Sequence, residues 1–342
     1  MKILLVTSRG ACGISDHSDQ LIAAVQVADP SIQITASALE LDGDSFATKS
    51  LLYDHPYYDL VVLNYHEALY RNWPVERLLE LRHEGYKSVV IYHNTFGEHT
   101  PSEMRANGDH RLDFLEAIAW SAVDAVIVHE PCAELDTPYI HYWRQGVPAA
   151  QSPRQYAERS LSPSSDCFKG WNDQPLLGTV GFNQPQKNFD RIAQVSHACG
   201  WALLICCADA TTADITRWTA LNPDTTVLTG FQPVSTVVSY LSGCDATIFA
   251  HEGAHAGTSG AIRLGLAARK PVIAWHNRQF RDLLADEGYL DWCDGFGDLP
   301  HVLANIPIQR VDPRIVQIAE RDSWVHLGER YASLFKELTC AK

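Results

Sequence analysis

Short β-rich runs, most of them apolar through their length, recur along the chain, ending at glycine or polar residues and alternating with stretches of helical spacing. In the first half the runs fall at residues 2–7, 33–37, 59–65, 88–93 and 124–129. Between them, apolar residues at three- and four-residue intervals predict helices over 15–27, 74–84 and about 112–122. The second half repeats the scheme, with strands predicted at 176–182, 202–207, 226–229, 246–250 and 271–275. Its helices are predicted near 189–198, 211–221, 234–241, 259–268 and 278–286. Runs that are apolar throughout, rather than alternating, belong to parallel strands covered on both faces. Strand-helix alternation twice over predicts two doubly wound α/β domains.

The 342 residues are enough for two domains, each burying its own core. The boundary shows in composition. Residues 148–173 are rich in Pro, Ser, Gln and charge without sustained periodicity, which reads as an inter-domain loop. The expected domains are therefore 1–165 and 174–320. Past Asp312-Pro313 the pattern is helical, with Trp324, Leu327, Tyr331 and Leu334 on one face. A helix over about 322–342 is expected to pack back on the first domain.

Charge narrows the partners. The chain carries 41 acidic and 27 basic residues, a formal charge of -14, which disfavours nucleic acid and anionic membranes as partners. Residues 1–170 hold 23 acids and 13 bases, so most of the excess lies in the first half. The first eight residues, Met-Lys-Ile-Leu-Leu-Val-Thr-Ser, read as a buried strand rather than a signal peptide, and no run is long enough to span a membrane. Nine scattered cysteines, with no Cys-x-x-Cys pair, predict reduced thiols and a cytoplasmic location rather than disulfides or a zinc site.

Ligands of open parallel sheets bind beyond the carboxyl ends of the strands, so the chemistry is sought there. The first such loop contains Gly13, Ser15, Asp16 and His17 at the start of a helix, whose amide end favours anions. Its spacing is not that of the Gly-x-Gly-x-x-Gly dinucleotide fingerprint, and an ordinary strand-to-helix turn is the other reading. Three later strands run into His66, His93 and His129. Imidazoles at one sheet edge can bond hydroxyls or act as acid-base groups. In the second half, Lys187 opens a helix and is the only lysine between Lys169 and Lys270. A point charge beside helix amides suits a diphosphate.

The segment from His251 to Arg263 contains a literal His251-Glu252-x-x-His255, the zinc-peptidase pattern. That chemistry requires both histidines on one formed helix. Here the pattern follows a strand directly and contains glycine. The stronger reading is a glycine loop leading into a helix whose start, Thr258, Ser259, Gly260 and Ala261, is an anion site.

Taken together, these segments resemble the GT-B glycosyltransferases, and family 4 among them. Residues 180–189, with Lys187 and Asn188, resemble the family's Val-Gly-Arg…Lys-Gly segment. Residues 227–231, ending in Gly230 and Phe231, resemble the stretch whose backbone holds the nucleotide base. Residues 241–246 through Pro271-Val-Ile-Ala resemble the donor-binding core, while residues 12–16 and His93 match positions facing the sugar and acceptor. The family's Glu-x7-Glu is absent: Leu264 and Ala256 stand at its two positions, and Phe182 replaces an arginine.

The resemblance implies two Rossmann-like domains facing across a cleft, whose closure excludes water. It implies transfer of a sugar from a nucleoside diphosphate donor to an acceptor hydroxyl, with retention. The donor is the co-substrate, and no metal or cofactor is required. On this reading His93 contacts the sugar and Glu252 orients its hydroxyls. Gly13, Lys187, Gly230, Phe231, Gly257, Thr258, Ser259 and Gly260 hold the donor, and Asp16, His17 and His66 meet the acceptor. The acidic first domain favours a soluble or weakly charged acceptor. The alternatives are a catalytically silent GT-B binding protein and, further off, the zinc peptidase.

Overall fold

The computed structural model describes residues 1–8, 12–39, 58–65, 79, 81–93, 123–129, 139–149, 174–253, 259–284, 288–308 and 311–340. The chain separates into two compact units. One comprises Met1–Gly146 and Trp324–Lys342, and the other Val147–Gly253 and Ser259–Ser323.

In the first unit, β1 (Lys2–Ser8), β2 (Gln33–Leu39), β3 (Leu60–Tyr65), β4 (Lys87–Tyr92), β5 (Ala125–Val128) and β6 (Ile140–Tyr142) form one sheet in the order β2-β1-β3-β4-β5-β6. Every pairing is parallel. All six residues of β3, Asn64 among them, and all four of β5 are buried, as strands covered on both faces require. Helix α1 (Gly13–Ala28) follows β1 and turns Leu21, Ala24 and Val25 into the core. The terminal helix (Trp324–Cys340) packs against α1, burying Trp324, Leu327, Tyr331, Leu334 and Phe335. The approach is so close that a β-carbon at Gly328 would overlap the Ala24 carbonyl.

In the second unit, β7 (Leu176–Gly181), β8 (Ala202–Cys207), β9 (Thr225–Thr229), β10 (Ala246–Phe249), β11 (Val272–Trp275) and β12 (Asp291–Cys293) lie in the order β12-β11-β10-β7-β8-β9. These pairings are again all parallel. Read from its first strand, this is the doubly wound order 3-2-1-4-5-6, which reverses between β7 and β10. The connecting helices are α2 (Phe189–Ala198), α3 (Thr212–Leu221), α4 (Val234–Ser242) and α5 (Gly260–Ala267), with α6 (Leu299–Asn305) and α7 (Pro313–Arg321) after β12. Helix α3 starts in a capping box in which the Thr211 hydroxyl and the Asp214 carboxylate exchange bonds with each other's amides. One apolar cluster, including Leu204, Phe249, Leu266 and Phe280, and a second, including Ile192, Trp218, Ile248 and Ile273, sandwich the sheet.

Some elements differ from the pattern reading. Strands β6 and β12 were not predicted: each has three residues of mixed polarity at a sheet edge, so no apolar run marks them. The helix expected over 278–286 is a 3-10 turn, Arg278–Phe280, and a single helical turn, Arg281–Leu284. The continuous helix expected past Asp312 is broken. Helix α7, capped by Asp312, stops at Arg321, and the Val147 amide takes the Asp322 carbonyl at 2.8 Å. Most of the helix predicted at 74–84 and all of that at 112–122 lie outside the described residues.

Candidate functional site

At the switch point of the second sheet, the loops after β7, β10 and β11 are tied together by polar contacts. Residues 185–187 form a 3-10 turn that ends at Asn188, in the left-handed region at φ 56°. Asparagine tolerates that conformation, and its side chain donates to the Ala250 carbonyl at 2.8 Å. The Glu252 amide donates to the Gln186 carbonyl at 2.9 Å, so the end of β10 clamps the turn from both sides. Lys187 is thereby held with its Nζ 3.0 Å from His251 Nε2. His251 Nδ1 lies 2.9 Å from Gln279 Oε1. The amide oxygen can only accept, so Nδ1 carries the proton and Nε2 accepts from the lysine. Burial pushes the Lys187 ammonium down to about 8. A neutral imidazole therefore supports a partly desolvated cation.

Gln279 links this pair to the start of α5, because its carbonyl accepts the Ser259 amide at 3.1 Å. Ser259 is buried, and its hydroxyl makes no hydrogen bond among the described residues. One turn further on, Arg263 is buried against Asp282, with its Nε and Nη1 hydrogens unused among the described residues. A β-carbon added at Gly260 would meet nothing within 4 Å, so the chain's own packing does not require glycine there.

The first sheet gathers a different group at the same end. Asn64, fully buried in β3, accepts from His93 Nε2. Its amide donates to the Ser18 hydroxyl at 2.7 Å and to the Ile14 carbonyl at 3.2 Å, which fixes the start of α1. His17, His93 and His129 are all buried, with ring centroids 4.5, 4.9 and 5.5 Å apart. His129 Nδ1 donates to the Trp143 carbonyl at 2.8 Å. Burial, and secondarily the charge of His129, holds His17 well below the usual histidine range, so it is neutral at physiological pH. Beside it, burial and then the Asp19 charge raise the Asp16 carboxyl to about 6.

Of the residues singled out from sequence, His17, His93 and His129 stand together in the first unit, and Asp16 precedes His17 on α1. Gly13 opens α1, with nothing within 4 Å of an added β-carbon. Lys187, Ser259 and Gly260 stand in the second unit. Gly230 adopts φ 77°, and Phe231 is exposed beside Phe182, with ring centroids 6.5 Å apart. Glu252 turns outward and pairs with Arg191 at 3.4 Å, with nearly half of its side chain exposed. His66, His255, Gly257 and Thr258 lie outside the described residues. The zinc-peptidase alternative loses its footing, because residues 251–253 are not helical and α5 begins only at Gly260. Sequence reasoning missed Asn64, Gln279 and the Arg263–Asp282 pair. Asn64 carried a signal, a single amide inside Leu-Val-Val-Leu-Asn-Tyr.

Two doubly wound parallel sheets with polar clusters at their carboxyl ends define a double Rossmann-type protein. No family model and no curated protein matches the chain. Solved structures match throughout. HepE of Anabaena in complex with UDP-glucose aligns at a TM-score of 0.66 and 13% identity, over 98% of both chains. Trehalose-6-phosphate synthase OtsA aligns at 0.67 and 11%, over 98% of this chain and 99% of its own. A glycosyltransferase from Rickettsia africae aligns at 0.67 and 10%, over 100% and 99%. The architecture of the chain is the GT-B fold.

Proposed function

We propose that this protein is a glycosyltransferase that moves a sugar from a nucleoside diphosphate donor to an acceptor hydroxyl, with retention of configuration as in family 4. The observation that carries the reading is Lys187, a desolvated cation held on a neutral His251 at the switch point of the second sheet. A leaving diphosphate needs such a charge, together with helix amides, in a pocket poor in water. Ser259 and the amide end of α5 are connected to it through Gln279. The solved neighbours include structures with UDP-glucose, with UDP and glucose, and with UDP-2-fluoro glucose, which supports a uridine nucleotide as donor.

In this reading Lys187, Ser259, Gly260 and the loop residues Gly257 and Thr258 hold the diphosphate, while Gly230 and Phe231 lie toward the base. Gly13 lets backbone approach the donor, and His93 contacts the sugar. Glu252 would have to leave Arg191 to orient sugar hydroxyls, and Asp16, His17 and His66 define the acceptor side. The sugar transferred is a hexose or a pentose, and the acceptor is soluble or weakly charged. Among the described residues no helix is long and apolar enough to cross a membrane.

The test is a thermal-shift screen of nucleotides and nucleotide sugars, with Lys187→Ala as control, followed by donor turnover with candidate acceptors. UDP or a UDP-sugar is expected to raise the melting temperature of the wild type and not of the variant. An equal response in both, or none from any nucleotide, refutes the donor site. A second reading, donor binding without transfer, is favoured by Leu264, which packs against the apolar cluster at the position of the family's ribose glutamate. Binding without donor consumption under any acceptor condition would select it.

A further inference from the structure

We propose that His17, His93 and His129 form a binding site for a divalent transition metal of the zinc class, in the first unit at the carboxyl end of its sheet. The three side chains come from separate segments: α1, the end of β4 and the end of β5. Their candidate ligand nitrogens all lie within 4.8 Å of one another, and all three residues are buried.

Ring placement supports the assignment. Three imidazoles bound about 2 Å from one ion at tetrahedral angles have ring centroids about 5 Å apart. The observed separations of 4.5, 4.9 and 5.5 Å bracket that value. The candidate ligand atoms, within 4.8 Å of one another, need close by no more than about 1.5 Å per pair to reach the spacing of about 3.3 Å around a bound ion.

The surroundings also resemble those of a histidine metal site. Such ligands characteristically donate their second ring nitrogen to a carbonyl or carboxylate, which fixes the tautomer and aims the other nitrogen at the ion. His129 Nδ1 donates to the Trp143 carbonyl at 2.8 Å, and His93 Nε2 donates to the amide oxygen of Asn64. His17 Nε2 is buried without a hydrogen-bond partner among the described residues. The two hydrogens of the Asn64 amide already go to Ser18 and Ile14, so the 3.3 Å contact with His17 Nδ1 leaves the tautomer of His17 open. Imidazole donors select zinc-class ions over magnesium or calcium, and three of them leave a fourth position for water or a ligand oxygen.

This inference shares His17 and His93 with the sugar and acceptor side of the transfer reading but is independent of the donor residues. The three ligands belong to the first unit, whereas Lys187 belongs to the second.

The test uses the full chain, stripped with chelator, equilibrated with zinc chloride, gel-filtered and measured by inductively coupled plasma mass spectrometry. About one zinc per chain is expected in the wild type, in His83→Ala and in His251→Ala, against less than about a tenth in His17→Ala and His129→Ala. Circular dichroism checks folding of each variant, and His17→Gln offers a substitution closer in volume. Should these variants unfold, cobalt(II) added to stripped wild type decides: an intense visible absorption marks a low-coordinate nitrogen site and supports the proposal, and the pale spectrum of an octahedral ion refutes it. Metal-free wild type, undiminished zinc in folded His17 and His129 variants, or loss confined to His251→Ala would each overturn it. The nucleotide screen reads Lys187 and is unaffected by these outcomes.

Discussion

Replacing Lys187 by alanine probes the donor reading most sharply, because burial ties the charge of this lysine to pH. In the free protein its ammonium donates to His251 at 3.0 Å, and burial lowers its pKa to about 8. A diphosphate oxygen about 4 Å away would attract that charge by about 4 kcal/mol at an effective dielectric constant near 20, before desolvation is charged against it. A charge-assisted hydrogen bond retains about 1.5–3 kcal/mol net, so Lys187→Ala should weaken UDP about 10- to 150-fold at pH 7. The pH dependence supplies a second, independent sign. Deprotonation near pH 8 should cost the wild type about tenfold in affinity by pH 9, while Lys187→Ala stays flat and Lys187→Arg keeps its charge. Stability moves the other way. A lysine with a depressed folded pKa leaves the unfolded chain holding more protons between about 8 and 10.5, so the unliganded protein gains stability over that window, by about 3 kcal/mol at most. Isothermal titration calorimetry with UDP from pH 6.5 to 9.5, alongside thermal melts of the unliganded protein, reads both. A Lys187→Ala affinity within twofold of wild type, or a wild-type affinity that does not change across pH 8, would sink the argument.

Other expectations concern the scaffold. Asp282→Ala strands the buried Arg263 guanidinium and should cost about 3–5 kcal/mol in urea unfolding, whereas the Arg263→Met/Asp282→Leu pair should come close to wild type. Gly328→Ala forces a β-carbon onto the Ala24 carbonyl and should lower stability by about 1–3 kcal/mol, a loss that a comparable melt of Gly288→Ala, with nothing within 4 Å, should not show. The raised pKa of Asp16 means that the fold binds its proton more tightly than the unfolded chain, so stability falls as pH rises from about 4 to 6. Asp16→Asn should therefore raise the melting temperature at pH 7.5 by the equivalent of about 1 kcal/mol, after discounting for partial exposure, and leave it unchanged at pH 4. Equal effects at both pH values would exclude carboxyl titration as the cause.

The buried strands could be read from the chain because a parallel strand covered on both faces is apolar throughout. Residues 202–207, Ala-Leu-Leu-Ile-Cys-Cys, announce β8 to the residue. The edge strands β6 and β12 could not, since an edge needs only a few residues and tolerates His141 and Asp291. Lys187 stood out as a lone lysine just after a strand, and the loop it occupies followed from that position. Its partners did not: His251 is 64 positions away, and nothing in the spacing pairs it with Gln279 a further 28 along. The imidazoles of the first sheet show the same limit. Their positions at strand ends were visible one at a time, but the Asn64 amide that joins His93 to the start of α1 belongs to the tertiary fold.

These contacts also change what the charge of the chain means. A formal charge of -14 would oppose a diphosphate if it acted uniformly. Charges more than a Debye length apart, about 8 Å at physiological ionic strength, are largely screened, so the atoms around Lys187 decide the matter. There the ammonium rests on a neutral imidazole that a neutral amide holds in place, and the nearby Glu252 carboxylate is drawn outward to Arg191. A cation whose own contact is uncharged keeps its field for an incoming anion. Glu252 supplies the check on this account. Arg191→Ala frees that carboxylate, so it should weaken UDP binding modestly and less as salt rises, whereas Lys187→Ala should remain deleterious throughout. A gain in UDP affinity on removing Arg191 would mean that the pair does not shield the lysine.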